Sequence, residues 1–275
     1  MGRVLLVTGG SGSLGRRVMA RAAAAGWDAV GTYVSAACAT ATVRLDIRDR
    51  DAVRRVVAAV RPDAIVHAAA GRDRNDWAAT ADGAAHVALA AAGVRLVHVS
   101  SDAVFSGRLG EYGEDAVPDP VYAYGAAKAA AETAVRAVDP SAAVVRTSLI
   151  LGDGNGAHEI LTRDLIAGRV RGALFTDEIR KPVHVDDLAD ALLELAAGDY
   201  AGVLNVAGAD AVSRYDLGVL VARRDGLDET AIPAGSLAAL GLARPADLRL
   251  RTGRARALLS VRLRGATEFV RSGRG

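Results

Sequence analysis

Tyr124 and Lys128 stand four residues apart in Tyr124-Gly125-Ala126-Ala127-Lys128, and the chain holds one other lysine, Lys181, among its 34 basic residues. Residues at i and i+4 share a helix face, so the ammonium can project over the same surface as the phenol. A phenol ionises at about 10, and a neighbouring positive charge lowers that value. The pair thus offers a proton donor or acceptor near neutral pH. A lysine here, in a chain that otherwise uses arginine, suits a site that needs a compact charge rather than a planar fork. The same spacing also fits an ordinary tyrosine and lysine on a helix surface. Other segments decide between the two.

Upstream, Thr8-Gly9-Gly10-Ser11-Gly12-Ser13-Leu14-Gly15 follows a short apolar run at residues 3–7 and precedes an alanine-rich stretch at 16–25. Strand, glycine turn and helix in that order form a phosphate site: Gly9 permits the tight turn, Gly12 lets the backbone approach a pyrophosphate, and Gly15 lets helix and strand pack closely. The helix N-terminus then offers free N–H groups to the phosphates. Ser100-Ser101-Asp102 ends another strand, at 95–100, where open α/β sheets bind ligands. The Ser101 hydroxyl there can hold a substrate carbonyl, or cap a turn. His67, ending a strand at 64–67, reads as a packed or hydrogen-bonded side chain, and Ala68-Ala69 as room for a cofactor.

The elements that must place these groups alternate. Strands are expected at 3–7, 28–33, 42–46, 64–67, 95–100 and 142–150, with helices at 16–25, 50–60, 78–92 and around 124–138. Five or six β-α units with short connections make a doubly wound parallel sheet. From Gly152 the pattern loosens into a second lobe, with a helix at 161–167. Pro182 and an apolar pair then precede a helix capped by Asp186 and running to Ala197, and a seventh strand at 203–206 returns to the sheet. Residues 213–275 read as helices with a polar tail. The expected division is a dinucleotide-binding domain over 1–150, rejoined by 183–206, and a small substrate lobe over 151–182 and 207–275.

Composition narrows the function classes. Hydrophobic residues make up 51% and aromatics 4%, as in helices packed on a parallel sheet. A net charge of +2 with interleaved signs gives no nucleic-acid surface, and the arginine-rich last third reads as solvated surface. Cys38 is the sole cysteine, which excludes an internal disulfide and a cysteine-cluster metal site, and no metal is expected. No apolar run approaches the roughly 18 residues of a membrane span. A soluble, cytoplasmic protein is expected.

Taken together, the motifs resemble those of the extended short-chain dehydrogenase/reductase superfamily, and within it the dTDP-4-dehydrorhamnose reductase family. Ser100-Ser101-Asp102-Ala103-Val104-Phe105-Ser106-Gly107 resembles that family's S-T-D-Y-V-F-x-G. The stretch from Tyr112 through Glu114, Pro118 and Tyr124 to Lys128 resembles its Y-x-E…P…Y-G-x-S/T-K. Val145-Arg146-Thr147-Ser148 matches V-R-T-S, and residues 175–183 are similar to the second-lobe signature. The resemblance implies a Rossmann sheet and a carbonyl reduction: Tyr124 protonates the oxygen, Ser101 hydrogen-bonds it, and Lys128 binds the nicotinamide ribose and lowers the tyrosine pKa. It implies cofactor contacts at Thr8, Gly9, Gly12, Ser13, Leu14, Gly15, Thr32, Asp46, Ile47, Ala68, Ala69 and Lys128. Substrate contacts fall at Ser101, Asp102, Ala103, Leu149 and Arg180.

The end of the second strand, Thr32-Tyr33-Val34-Ser35, lacks the acid that binds ribose hydroxyls, which favours NADP, with NAD as the alternative. Arg16 or Ser35 could meet a 2′-phosphate. Four positions depart from the family pattern: Ala103 for Tyr, Leu149 for Trp, Thr80 for a relay Asn, and Ala127 for Ser or Thr. The first two leave the substrate open: a nucleotide-linked keto-sugar or a related small carbonyl compound. Two other readings are a sugar-nucleotide epimerase or dehydratase, against which Ala103 speaks, and a dinucleotide-binding regulatory subunit. A homodimer through sheet-flanking helices is common in the superfamily.

Overall fold

In the computed structural model, described over residues 2–271 except 72, 74, 153 and 243, the first strand is buried on both faces. This strand, β1 (Arg3–Thr8), sends Leu5 and Val7 into one core and Leu6 into the other. Such a strand needs helices above and below it, and its apolar residues therefore run continuously. β2 (Trp27–Tyr33), β3 (Val43–Arg44), β4 (Ala64–His67), β5 (Arg95–Ser101), β6 (Ala143–Thr147) and β7 (Gly202–Asn205) join it in a parallel seven-stranded sheet of order β7-β6-β5-β4-β1-β2-β3. The doubly wound sheet is therefore present, and its strand order reverses beside β1. There the C-terminal ends of β1 and β4 part and leave a crevice for a ligand.

Helices α1 (Ser13–Ala22) and α6 (Val185–Ala197) cover one face, with Val18 and Leu188 in the same core as Leu5. On the other face lie α2 (Arg50–Val60), α3 (Gly83–Ala90) and α4 (Ala123–Val138), packed through Val53, Val87 and Val135 around Leu6. The Asp49 carboxylate caps α2 by accepting the Ala52 N–H at 2.9 Å. Beyond the sheet, α5 (Ala157–Ile166) and α7 (Arg214–Asp225) pack together with Leu165, Leu174, Ala222 and Ile232 between them. Among the described residues no helix is long and apolar enough to cross a membrane.

Several boundaries differ from the sequence expectations. The stretch 78–92 begins as a π turn at Ala78–Asp82 before α3. The run 142–150 breaks after Thr147, because Ser148 turns its hydroxyl to Asp102 and Ile150–Leu151 pairs separately with Val183–His184. α5 begins earlier than residue 161, since the Glu159 carboxylate accepts the Gly156 N–H at 3.0 Å and closes its first turn. Asp186 is not the cap of α6. The helix starts at Val185, and the His184 ring Nδ1 accepts the Asp186 N–H at 3.1 Å, which frees Asp186 to pair with Arg17 of α1. The basic last third lies largely at the surface, where Arg249 pairs with Asp247 and Arg262 with Glu268, while Arg264 lies partly buried on Asp187. The tail at 272–275 lies outside the described residues.

Candidate active site

Two clefts open along the carboxyl edge of the sheet. The first, of about 520 Å³, is walled by Gly9, Gly12, Thr32, Asp46, Ile47, Ala68 and Ala69. Gly9 adopts φ +75°, and a Cβ there would lie 2.9 Å from the Ala69 backbone, so a small residue is required on both sides. A Cβ on Gly15 would stand 2.1 Å from the Gly9 carbonyl oxygen, which fixes α1 tightly against the turn. The Thr32 hydroxyl accepts the Gly9 N–H at 3.2 Å and ties the turn to β2. Thr8 faces inward, its hydroxyl 2.6 Å from Nδ1 of the buried His67. Burial lowers His67 to about 3, so it is a neutral, packed ring, as its place at a strand end suggested. This cradle of bare backbone at a helix N-terminus fits a dinucleotide.

At its far side the first cleft holds Ser35, Arg48 and Asp76. Asp46 is held below its ordinary value chiefly by the side-chain hydrogen bond from Arg48, at 2.6 Å. Of the two candidates for a 2′-phosphate, Ser35 borders the cleft, whereas Arg16 stands exposed on α1.

The second cleft, of about 730 Å³, brings together Ser101, Asp102, Ala103, Tyr124, Leu149 and Arg180. Ser13 and Leu14 border this cleft rather than the first, which places them at the junction. Ser101 does both of the things open to it: its oxygen accepts the Ala103 N–H at 3.2 Å, capping a 3₁₀ turn, and its side chain faces the cleft. The Asp102 carboxyl accepts from Ser148 at 2.7 Å and from Ser101 at 3.2 Å. Burial raises its pKa, while Arg180, with Nε 3.9 Å away, works against that rise. Arg180 spends its other prong within the lobe, on the Ile179 and Pro245 carbonyls and on Glu178 at 3.0 Å.

Lys128 departs from the expected shared surface with Tyr124. It is 5% exposed and lies beneath the cleft wall, where its Nζ donates to the Val99 carbonyl at 3.0 Å. Tyr124 reaches the cleft. The side chain of Thr80, in the π turn, is buried, and its hydroxyl has no hydrogen-bond partner among the described residues.

The sequence reading missed Ser148, His158, Glu178, Arg214 and Arg244 as cleft residues. Ser148 and Glu178 sit inside the quoted signatures, so a signal for them existed. His158, Arg214 and Arg244 come from the lobe without a local pattern. His158 is buried, and burial holds it well below its ordinary pKa.

A family model described as "RmlD substrate binding domain" matches residues 3–272. The chain is 36% identical to the dTDP-4-dehydrorhamnose reductase of Mycobacterium tuberculosis over 230 residues, 77% of this chain and 72% of that protein. It is 29% identical to methionine adenosyltransferase 2 subunit beta of Danio rerio over 92% of its length and 84% of that protein's. A crystal structure of dTDP-4-dehydrorhamnose reductase from Bacillus anthracis in complex with NADP superposes with a TM-score of 0.84 at 24% identity. That alignment covers 98% of this chain and 97% of the other, a likeness of fold.

Proposed function

The chain belongs to the RmlD substrate binding domain family of extended short-chain reductases, and from that premise we propose that it is an NADP(H)-dependent reductase of the keto group of a nucleotide-linked sugar. The observation that carries this reading is the second cleft: Ser101, Asp102 and Tyr124 converge in one space at the sheet edge, beside the glycine-turn cleft. NAD remains the alternative cofactor. Gly9, Gly12, Thr32, Asp46, Ile47, Ala68 and Ala69 would hold the dinucleotide, with Thr8 and Gly15 shaping the turn and Ser13 and Leu14 at the junction. When bound, the nicotinamide supplies hydride to the carbonyl carbon.

The chain's own residues position the oxygen and manage the proton. Tyr124 donates its phenolic proton to the carbonyl oxygen, and Ser101 donates a hydrogen bond to the same atom. Asp102, itself hydrogen-bonded by Ser148, accepts the Ser101 proton in the free site, and that proton turns from Asp102 to the carbonyl oxygen when the substrate enters. The buried Lys128 ammonium adds positive charge under the site, which favours the phenolate left behind and attracts the cofactor. Ala103, Leu149 and Arg180 border the sugar. Without a carboxylate at the end of β2, the 2′-phosphate of NADP meets Ser35 and no acid from that strand.

In this reading, residues 1–150 with 183–206 form the cofactor half, and 151–182 with 207–275 form the substrate half. The protein acts in the cytoplasm, and a homodimer is checked by light scattering. The reaction is tested by incubating purified protein with NADPH and a set of nucleotide-linked 4-keto sugars. Loss of NADPH absorbance matched by a product two hydrogens heavier supports it. A second reading, a dinucleotide-binding regulatory subunit, draws on the likeness to methionine adenosyltransferase 2 subunit beta. It gains if NADPH binds tightly and no keto sugar or smaller ketone consumes it.

A further inference from the structure

We propose that Glu132 is a positioning residue of the reductase site, whose carboxylate, clamped by Arg146 and Ser100 one helical turn from Lys128, holds the buried Lys128 side chain in its charged form. The inference rests on the reading of Lys128 as a member of the catalytic set. Tyr124, Lys128 and Glu132 follow one another at i+4 along α4 and form a stripe that runs from the cleft down into the sheet. At its inner end Glu132 is 2% exposed and Arg146 of β6 is 1% exposed. Two charges so deep need a reason, because removing a charge from water is costly unless it is paired.

The clamp holds the carboxylate from two sides. Arg146 donates from Nε at 2.9 Å and from Nη2 at 2.7 Å, and the Ser100 hydroxyl donates at 2.6 Å. The same guanidinium reaches the Glu114 and Ala116 carbonyls, at 3.2 and 3.3 Å, in the segment leading to Tyr124. Beside it, the Lys128 hydrogen bond named above goes to a neutral carbonyl, which favours the ammonium but brings no opposite charge to offset its burial. Burial lowers Lys128 to about 8, and the charge of Glu132 opposes that fall. The other titratable groups facing Lys128 are His67 of β4 and His98 of β5, both kept neutral by burial, and Arg146 stands behind Glu132. Among these groups, Glu132 supplies the negative charge.

A merely structural ion pair would allow replacement of both partners by uncharged groups with little consequence. A positioning residue would not, and the two lysines of the chain make the difference readable. Lysine labelled with ¹³C at Cε gives two NMR signals, and Lys181→Arg assigns them. Glu132→Gln alone leaves Arg146 buried and unpaired, so the informative protein is the double variant Glu132→Gln/Arg146→Met. Lys128 is expected to titrate about one pH unit lower in that variant than in the wild type. Its kcat at pH 8 should fall about fivefold, as the charged fraction of Lys128 drops from about one half to about one tenth, with the KM for NADPH changed far less.

A folded double variant whose Lys128 titration and kcat match the wild type overturns the proposal. If Lys128→Met keeps wild-type turnover, the catalytic reading of Lys128 falls and takes this inference with it. If Lys128→Met is inactive while the double variant is unchanged, only the role of Glu132 falls.

Discussion

The two clefts are built in opposite ways. The first cleft has a floor of small residues, Gly9, Gly12, Ala68 and Ala69, which bring the main chain together at adjacent strand ends, with Thr32, Ser35, Asp46 and Ile47 around it. The second cleft is made of side chains from distant segments, with Ser101, Tyr124 and Leu149 meeting Arg180, Arg214 and Arg244. The difference has a consequence for tolerance. A backbone cradle fails when anything is added to it, whereas a side-chain cleft fails when a partner is taken away.

Substitutions in each half can break that contrast. Arg180→Met should have the largest effect on stability, about 3–5 kcal/mol, because Glu178 stays buried without its main partner. Denaturant unfolding measures this, and NADPH affinity of the surviving folded fraction should stay near wild type. A cofactor affinity that falls in step would mean that the halves are not separable. Gly15→Ala adds one methyl against the Gly9 carbonyl, a clash of backbone with no flexible neighbour to yield. The overpacking cost is about 1–3 kcal/mol, and if the turn shifts to relieve it, the NADPH dissociation constant in a fluorescence titration should rise by about 5- to 150-fold. An unchanged constant would remove the cradle from the explanation.

A smaller effect sharpens the cofactor side. Ser35→Glu places a carboxylate where a 2′-phosphate is tolerated and should lower the preference for NADPH over NADH about tenfold. Competitive binding of the two cofactors reads it directly. A preference that stays put would place the 2′-phosphate elsewhere.

Acid sensitivity should follow the buried histidines, His67 and His98 of the sheet and His158 of α5. Below about 6.5 an unfolded histidine takes up a proton that native His67, lowered to about 3, excludes. Stability is therefore lost as pH falls from 6.5 toward 3, and His67→Gln should flatten that part of the melting-temperature curve.

How far the sequence could be read follows the same contrast. Glycine positions, strand ends and the Tyr124–Lys128 spacing are local signals, and the sheet and the two residues Ser101 and Tyr124 that line one cleft emerged from them. What escaped depends on partners far along the chain. The cap of α6 is the His184 ring rather than Asp186, and the strand breaks at Ser148 because Asp102, 46 residues away, holds its hydroxyl. Lys128 was expected beside Tyr124 on one surface. The spacing is right, but the packing of α4 on β5 draws the ammonium inward to Val99. Arg146 lies within an apolar strand whose pattern gives no hint of the buried Glu132 opposite.

Single-turnover reduction by a Tyr124→Phe variant already saturated with NADPH tests the central claim most directly, because it separates proton donation from cofactor binding. The variant should bind NADPH as the wild type does and reduce a nucleotide-linked 4-keto sugar about 10²–10⁴-fold more slowly. Turnover equal to that of the wild type would contradict the assignment of Tyr124 as the proton donor.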